Sequence, residues 1–247
     1  MRKCVVLTAF VVVAAVILSG CVAVTLGPSQ IQGGGVRGVG EVISFPVETD
    51  SFSSVQINGH YDIVYREAPL SSVRFEIHEN LVEHLDVKVE QGTLVISSDV
   101  NFAFDSPPTV YIYTPRLDGV SIHGAGRMRD WDTVATESFS LWLGGALTGN
   151  LPLDVENLDA VVTGAASLRA AGRADTASIG VSGAGDVTAR ELQTQHAVVD
   201  ISGAGSVIVA VSDTLNASVA GAGSVRYIGD PNVTQSVAGA GSVRRAE

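Results

Sequence analysis

A small-residue turn, Gly-Ala-Gly or a close variant, returns at near-constant spacing through the second half of this chain. The copies are Gly124-Ala125-Gly126, Gly145-Ala146-Leu147, Gly164-Ala165-Ala166, Gly183-Ala184-Gly185, Gly203-Ala204-Gly205, Gly221-Ala222-Gly223 and Gly239-Ala240-Gly241. Their first glycines lie 21, 19, 19, 20, 18 and 18 residues apart. A period near 20, with short strands between turns, marks a solenoid in which each coil of chain stacks on the one before.

Aligned on the first glycine, the flanking positions resolve into columns. Two residues before it stand Ile122, Leu143, Val162, Val181, Ile201, Val219 and Val237. Four after it stand Met128, Gly149, Leu168, Val187, Val207, Val225 and Val243. Three after it stand Arg127, Thr148, Ser167, Asp186, Ser206, Ser224 and Ser242, all polar. Strands of period two send alternate side chains inward, so in-register coils turn the aliphatic columns into buried ladders at a rung spacing of about 4.8 Å. The polar column then faces outward, which makes Ser167, Asp186, Ser206, Ser224 and Ser242 candidate ligand-facing residues. Glycine marks a corner that needs a positive φ or a close approach of the neighbouring coil. Alanine reads as the largest residue that such a crowded corner accepts. Eighteen to twenty-one residues per turn suits three strands and three corners. The expectation is an all-β parallel β-helix with about seven coils over residues 118–247.

Residues 41–117 form a more irregular β region. Val55, Ile57, Ile63 and Tyr65 have strand spacing, as do Val73, Phe75 and Ile77, then Leu85, Val87 and Val89. Gln91-Gly92 reads as a tight turn before Leu94 and Ile96, Val110 to Thr114 as a strand, and Asn101 to Pro108 as a loop. Helix is expected nowhere beyond a turn or two at Glu79 to Leu85. Val55, Ile57, Gly59 and Ile63 repeat the offsets of the later copies and suggest an eighth, degraded coil. Residues 41–247 are accordingly read as a single domain.

The N-terminus reads as a targeting segment. Arg2 and Lys3 precede an apolar run from Cys4 to Ile17, and Leu18-Ser19-Gly20-Cys21 matches a bacterial lipobox. Residues 1–20 are expected to leave as a signal peptide, with Cys21 lipidated and residues 21–40 serving as a flexible tether. Both cysteines are then accounted for, and the exported domain has no thiol for a disulfide, metal site or nucleophile. The chain has 15 basic and 26 acidic residues; loss of Arg2 and Lys3 leaves 13 against 26, a net charge of −13. Such a surface repels nucleic acid and anionic headgroups, so membrane attachment is expected through the lipid. Val22 behind the cysteine is not a retention aspartate, which points to the cell envelope, and to the outer membrane if the source is Gram-negative.

The repeated Ile/Val-x-Gly-Ala-Gly-Ser-Val turns carry a family resemblance. So do Phe52-x-x-Val55-x-Ile57-x-Gly59, Leu85-x-Val87-x-Val89-x-x-Gly92-x-Leu94-x-Ile96 and Val110-x-Ile112-x-x-Pro115-x-Leu117. Over roughly residues 41–243 the chain resembles the head-domain family of auto-transporter adhesins, a domain of unknown function found mainly in bacterial lipoproteins. The resemblance implies a right-handed parallel β-helix, similar in shape to pectin lyases but without their catalytic set, and a role in adhesion to a glycan or surface protein. Leu147 and Ala166 depart from its Gly-Ala-Gly pattern.

No catalytic set is read from the residues. The repeat-zone acids, such as Asp159, Asp186 and Asp200, have different offsets from the turn glycine and form no column, so a polysaccharide hydrolase or lyase is the alternative reading. A structural or assembly role in the envelope is a third. His60, His78, His84, His123 and His196 lack metal-ligand spacing, and no cofactor is expected. Trp142, between core positions Leu141 and Leu143, should point outward, where it could stack on a sugar ring or pack under the Asn101–Pro108 loop or the N-terminal strands. No capping element is legible after Val243, so the C-terminal coil is expected to be shielded by Arg244 and Arg245 or by end-to-end association with another copy.

Overall fold

The computed structural model describes residues 35–246. The expected signal peptide, Cys21 and most of the expected tether lie outside the described residues; the last residues of that stretch are held rather than flexible, with Val36 and Arg37 paired to Phe102 and Ala103 and Arg37 joined to Asp105 at 3.0 Å. The described chain forms β1 (Val36–Arg37), β2 (Val42–Val47), β3 (Ser54–Glu67), β4 (Ser72–His78), a 3-10 helix (Glu79–His84), β5 (Leu85–Glu90), β6 (Thr93–Ser98), β7 (Phe102–Ala103) and β8 (Thr109–Thr114). The repeat follows as β9 (Gly119–Arg129), β10 (Val134–Gly164), β11 (Ser167–Gly183), β12 (Asp186–Gly203), β13 (Ser206–Gly221), β14 (Ser224–Ile228), β15 (Asn232–Gly239) and β16 (Ser242–Arg245).

From β9 onward successive coils pair in parallel, with their corner glycines in register. Gly145 lies on Gly124, Gly183 on Gly164, Gly203 on Gly183, Gly221 on Gly203 and Gly239 on Gly221. The result is a β-solenoid of about six turns. That is one fewer than the seven coils expected, because seven glycines in line enclose six repeats. The degraded copy is also a rung: β3 runs parallel to β9 with Gly59 under Gly124 and Ile57 under Ile122. The aliphatic columns are the core. Ile122, Leu143, Val162, Val181, Ile201 and Val219 are each at most 2% exposed, and Leu168, Val187, Val207 and Val225 are equally buried. Each such side chain contributes roughly 1.5–3 kcal/mol relative to exposure. Gly149 interrupts the second column because Met128, one coil below, fills the space its side chain would need.

The corners are close contacts between backbones. Gly203 has φ 133°, and a Cβ there would lie 2.5 Å from the Gly183 carbonyl oxygen. That carbonyl instead accepts a 2.8 Å hydrogen bond from the Ala204 N–H, and the equivalent bonds at Ala165, Ala184 and Ala222 measure 2.9, 3.0 and 2.9 Å. The second glycine serves the core. A Cβ on Gly223 would lie 2.5 Å from Cγ2 of Ile201, so its absence lets the aliphatic ladder reach under the turn. This position points inward, and where it carries a side chain, as in Leu147 and Ala166, that side chain is buried. The crowding expected around the middle alanine is not found. Ala146, Ala165, Ala184, Ala204, Ala222 and Ala240 are exposed, and the β3 coil carries His60 in the same rung position, paired with Ala125. Crowding therefore does not set the middle residue.

The lower end of the solenoid closes by switching strand direction. Beneath β3, β6 pairs with its first half and β8 with its second, both parallel. Beyond them β5 pairs antiparallel to β6, β4 antiparallel to β8 and β2 antiparallel to β4. Gln91 and Gly92, at φ 51° and 78°, make the tight β5–β6 turn. The edge strand β2 carries Pro46, which cannot extend a ladder. The 3-10 helix tucks Leu81 into the core. At the opposite end the ladder opens: Val237, in the column whose lower members are buried, is 42% exposed.

Gly203→Ala is expected to destabilise the domain by at least about 2 kcal/mol, combining a left-handed backbone penalty with a backbone clash. Ala204→Ser, one residue away and exposed, should leave the urea midpoint unchanged. Equal midpoints for the two variants would refute this account of the corner.

Candidate functional site

The corner divides two outward faces. On the strand after it, the polar column is straight: Asp62, Arg127, Thr148, Ser167, Asp186, Ser206, Ser224 and Ser242 occupy successive rungs. Ser167 and Asp186 are exposed, whereas Ser206, Ser224 and Ser242 are half-buried. At the base of the column Asp62 is a buried carboxylate, its side chain 3% exposed. It receives bonds of 3.0 and 2.9 Å from Arg127 and 3.1 Å from Arg129. Asp62 in turn raises the pKa of the Arg127 guanidinium. Nearby, burial pushes Tyr61 up to about 12, and burial followed by the Glu67 and Asp132 carboxylates does the same to Tyr65.

Trp142 lies on the other face, before the corner. It points outward as expected but is half-covered. Its ring sits 4.2 Å from that of His123 and lies across Gly144, where any side chain would collide with it. The His123 ring meets Ser121 Oγ at 3.1 Å. Trp142 shares a shallow groove with Ser54, Gln56 and Thr93 of the N-terminal strands, and in the Asn101–Pro108 loop Phe104 packs on His60 at 4.9 Å. The structure therefore brings the polar column together as a ladder and leaves Trp142 separate from it.

Sequence reasoning missed a local break in the ladder. Arg169 pairs with Thr188, but Ala171 pairs with Glu191, so Ala170 faces two residues, Ala189 and Arg190. On the next coil Ala189 pairs with Val209 but Gln193 pairs with Ala210, which leaves Arg190, Glu191 and Leu192 without partners on β13. These residues form a ledge, with an open groove on each side. One, of about 690 Å³, is bordered by Trp131, Asn150, Arg169, Thr188 and Arg190. The other, of about 570 Å³, is bordered by Arg173, Asp175, Gln193, Gln195 and Asp230. The signal was present in the repeat spacing, where 19 is followed by 20 and then 18. The spacing does not say where within the coil the extra residue sits.

The acids in these grooves are far apart. Asp130 and Glu191 border the first, and Asp175 and Asp230 the second. Each pair is separated by three rungs, about 14 Å at the usual strand spacing, wider than the roughly 5–10 Å that paired-carboxylate glycoside cleavage requires. Arg173 joins Asp154 at 3.0 Å and Asp175 at 3.5 Å in exposed ion pairs. Among the described residues no three His, Cys, Asp or Glu side chains converge as a metal site.

A family model described as "putative auto-transporter adhesin, head GIN domain" matches residues 51–231. No curated protein matches the chain. Among solved structures, a "putative adhesin" from Bacteroides fragilis NCTC 9343 is similar over 86% of this chain and 100% of its own, with 20% identity and a TM-score of 0.78. A "putative lipid binding protein" from Parabacteroides distasonis ATCC 8503 matches over 86% and 99%, with 19% identity and a TM-score of 0.69. A "putative adhesin" from the same strain matches over 85% and 99%, with 19% identity and a TM-score of 0.67. At these identities the likeness is one of fold.

Proposed function

Because the chain belongs to the auto-transporter adhesin head-domain family, we propose that it is a lipid-anchored envelope protein whose solenoid binds a glycan or a surface protein without chemistry of its own. The observation that carries this reading is the ledge at Arg190–Leu192 with an open groove on either side. The wide separation of the acids in each groove supports binding over hydrolysis. The polar ladder of Ser167, Asp186, Ser206, Ser224 and Ser242 adds a rigid surface of regularly spaced hydroxyls. Particles coated with the full chain should adhere to envelope material or to members of a glycan panel above uncoated particles. Uniform failure on both would move the chain to a structural role.

The lipid anchor rests on the basic and apolar leader that runs into Leu18-Ser19-Gly20-Cys21. Cys21→Ser should move the chain from the membrane fraction to the soluble fraction. Retention of the variant in the membrane fraction would remove Cys21 as the anchor.

End-to-end association between copies is supported by Val237, which is 42% exposed in an otherwise buried column. Mass in solution should rise with concentration for the parent chain and stay monomeric for Val237→Asp. A concentration-independent monomer in the parent would end this reading.

A further inference from the structure

The groove bordered by Arg169 and Arg190 brings two arginines without carboxylate partners to one concave surface. The chain carries a formal net charge of −11, yet these two arginines are exposed and, among the described residues, neither forms an ion pair. Among the described residues Arg37, Arg66, Arg74, Arg116, Arg127, Arg129, Arg173 and Arg245 each have a carboxylate partner; Arg226 and Arg244, near the C-terminal end of the solenoid and away from this groove, also lack one. Arg190 is one of the residues that the bulge leaves without a ladder partner, and bulges re-aim side chains that a regular ladder would direct elsewhere. Arg169 stands in a column with Asn150 below and Thr188 above, one rung either way.

We infer that this groove is the site of a carboxylate-bearing sugar, a uronic-acid residue within a glycan. The inference rests on the adhesin reading for its biological setting and on the groove alone for its chemistry. Two unpaired guanidinium groups suit one carboxylate, because their planar donors bond its two oxygens directly. Asn150 and Thr188 offer donors and acceptors to ring hydroxyls. Trp131 and Pro152 form the apolar wall; the indole N–H is already committed to the Ile63 carbonyl at 2.9 Å, which fixes the ring. Asp130 and Glu191 also face this groove. They accept hydrogen bonds from hydroxyl groups and repel additional carboxylates. A compact polyhydroxylated monoacid meets all of these groups, whereas an acidic peptide brings carboxylates without the hydroxyls.

The test is calorimetric titration of the full chain in detergent with three probes: methyl glucuronoside, methyl glucoside, and the dipeptide Asp-Glu. The glucuronoside should bind at least about tenfold more tightly than either of the others, the scale of one charge-assisted contact. Arg169→Gln and Arg190→Gln should each weaken glucuronoside binding by about tenfold, with Arg190→Lys in between. Both residues are exposed, so unchanged thermal melting would confirm that the variants are folded. The inference is overturned if the glucuronoside binds no better than the glucoside, if the arginine variants bind it normally, or if the dipeptide binds most tightly. If coated particles adhere but the glucuronoside does not bind, the groove assignment fails and the adhesin reading stands. If the glucuronoside binds through the arginines and particles do not adhere, the site stands and the adhesin reading fails.

Discussion

Everything in this domain depends on how closely one corner backbone approaches the next. At Gly203 the carbonyl of Gly183 occupies the place a side chain would take, and the same carbonyl closes the hydrogen bond to Ala204. Steric room and hydrogen bonding are thus satisfied by the same atom. Because the corner repeats with its register intact, every aliphatic residue two positions upstream lands on its counterpart, and the core becomes a column rather than a cluster. The second glycine completes this by vacating the space beneath the turn for a β-branched neighbour. With no disulfide available to the described residues, register is the means by which the fold holds itself.

A stacked ladder has ends, and the two ends here are treated differently. At the lower end the chain reverses direction through β8, β4 and β2, so the last parallel rung is never presented as a bare edge. A buried carboxylate sits just inside that end. Asp62 begins the outward polar column but is covered, and it is neutralised by Arg127 and Arg129 from the coil above. Charge buried at this depth requires such partners. The ion pair also ties the irregular region to the first regular coil, because Asp62 belongs to β3 and both arginines to β9.

The parallel fold was legible because a solenoid writes its architecture into the sequence once per turn. The columns through Val181 and Val187, the rung at Gly59 and the tight turn at Gln91-Gly92 all follow from local chemistry repeated at a fixed interval. Alanine was misread because its constancy looked like steric demand, while His60 in the equivalent place shows that the corner tolerates a large side chain. Trp142 was correctly turned outward, but its cover by His123 and its fit over Gly144 are contacts between rungs, invisible to a reading that treats each copy separately. The ledge lies further from reach. A repeat of 20 residues followed by one of 18 says that two neighbouring coils differ; only the pairing places the difference at Arg190–Leu192.

That displacement bears directly on function. A solenoid of identical rungs presents flat or gently ridged faces, and a flat face of short side chains gives a ligand little to bury against. Concavity has to come from a coil that fails to match its neighbours. Here the mismatch lies away from the corner: Gly183 still lies under Gly203, and Val181 under Ile201, on the same coils that part company at Arg190. The core therefore keeps its register while the outer surface gains a ledge, two grooves and a re-aimed arginine. The Gly-Ala-Gly corners hold the scaffold still, and the departure from regular pairing at Arg190–Leu192 is where the surface acquires the shape to recognise something.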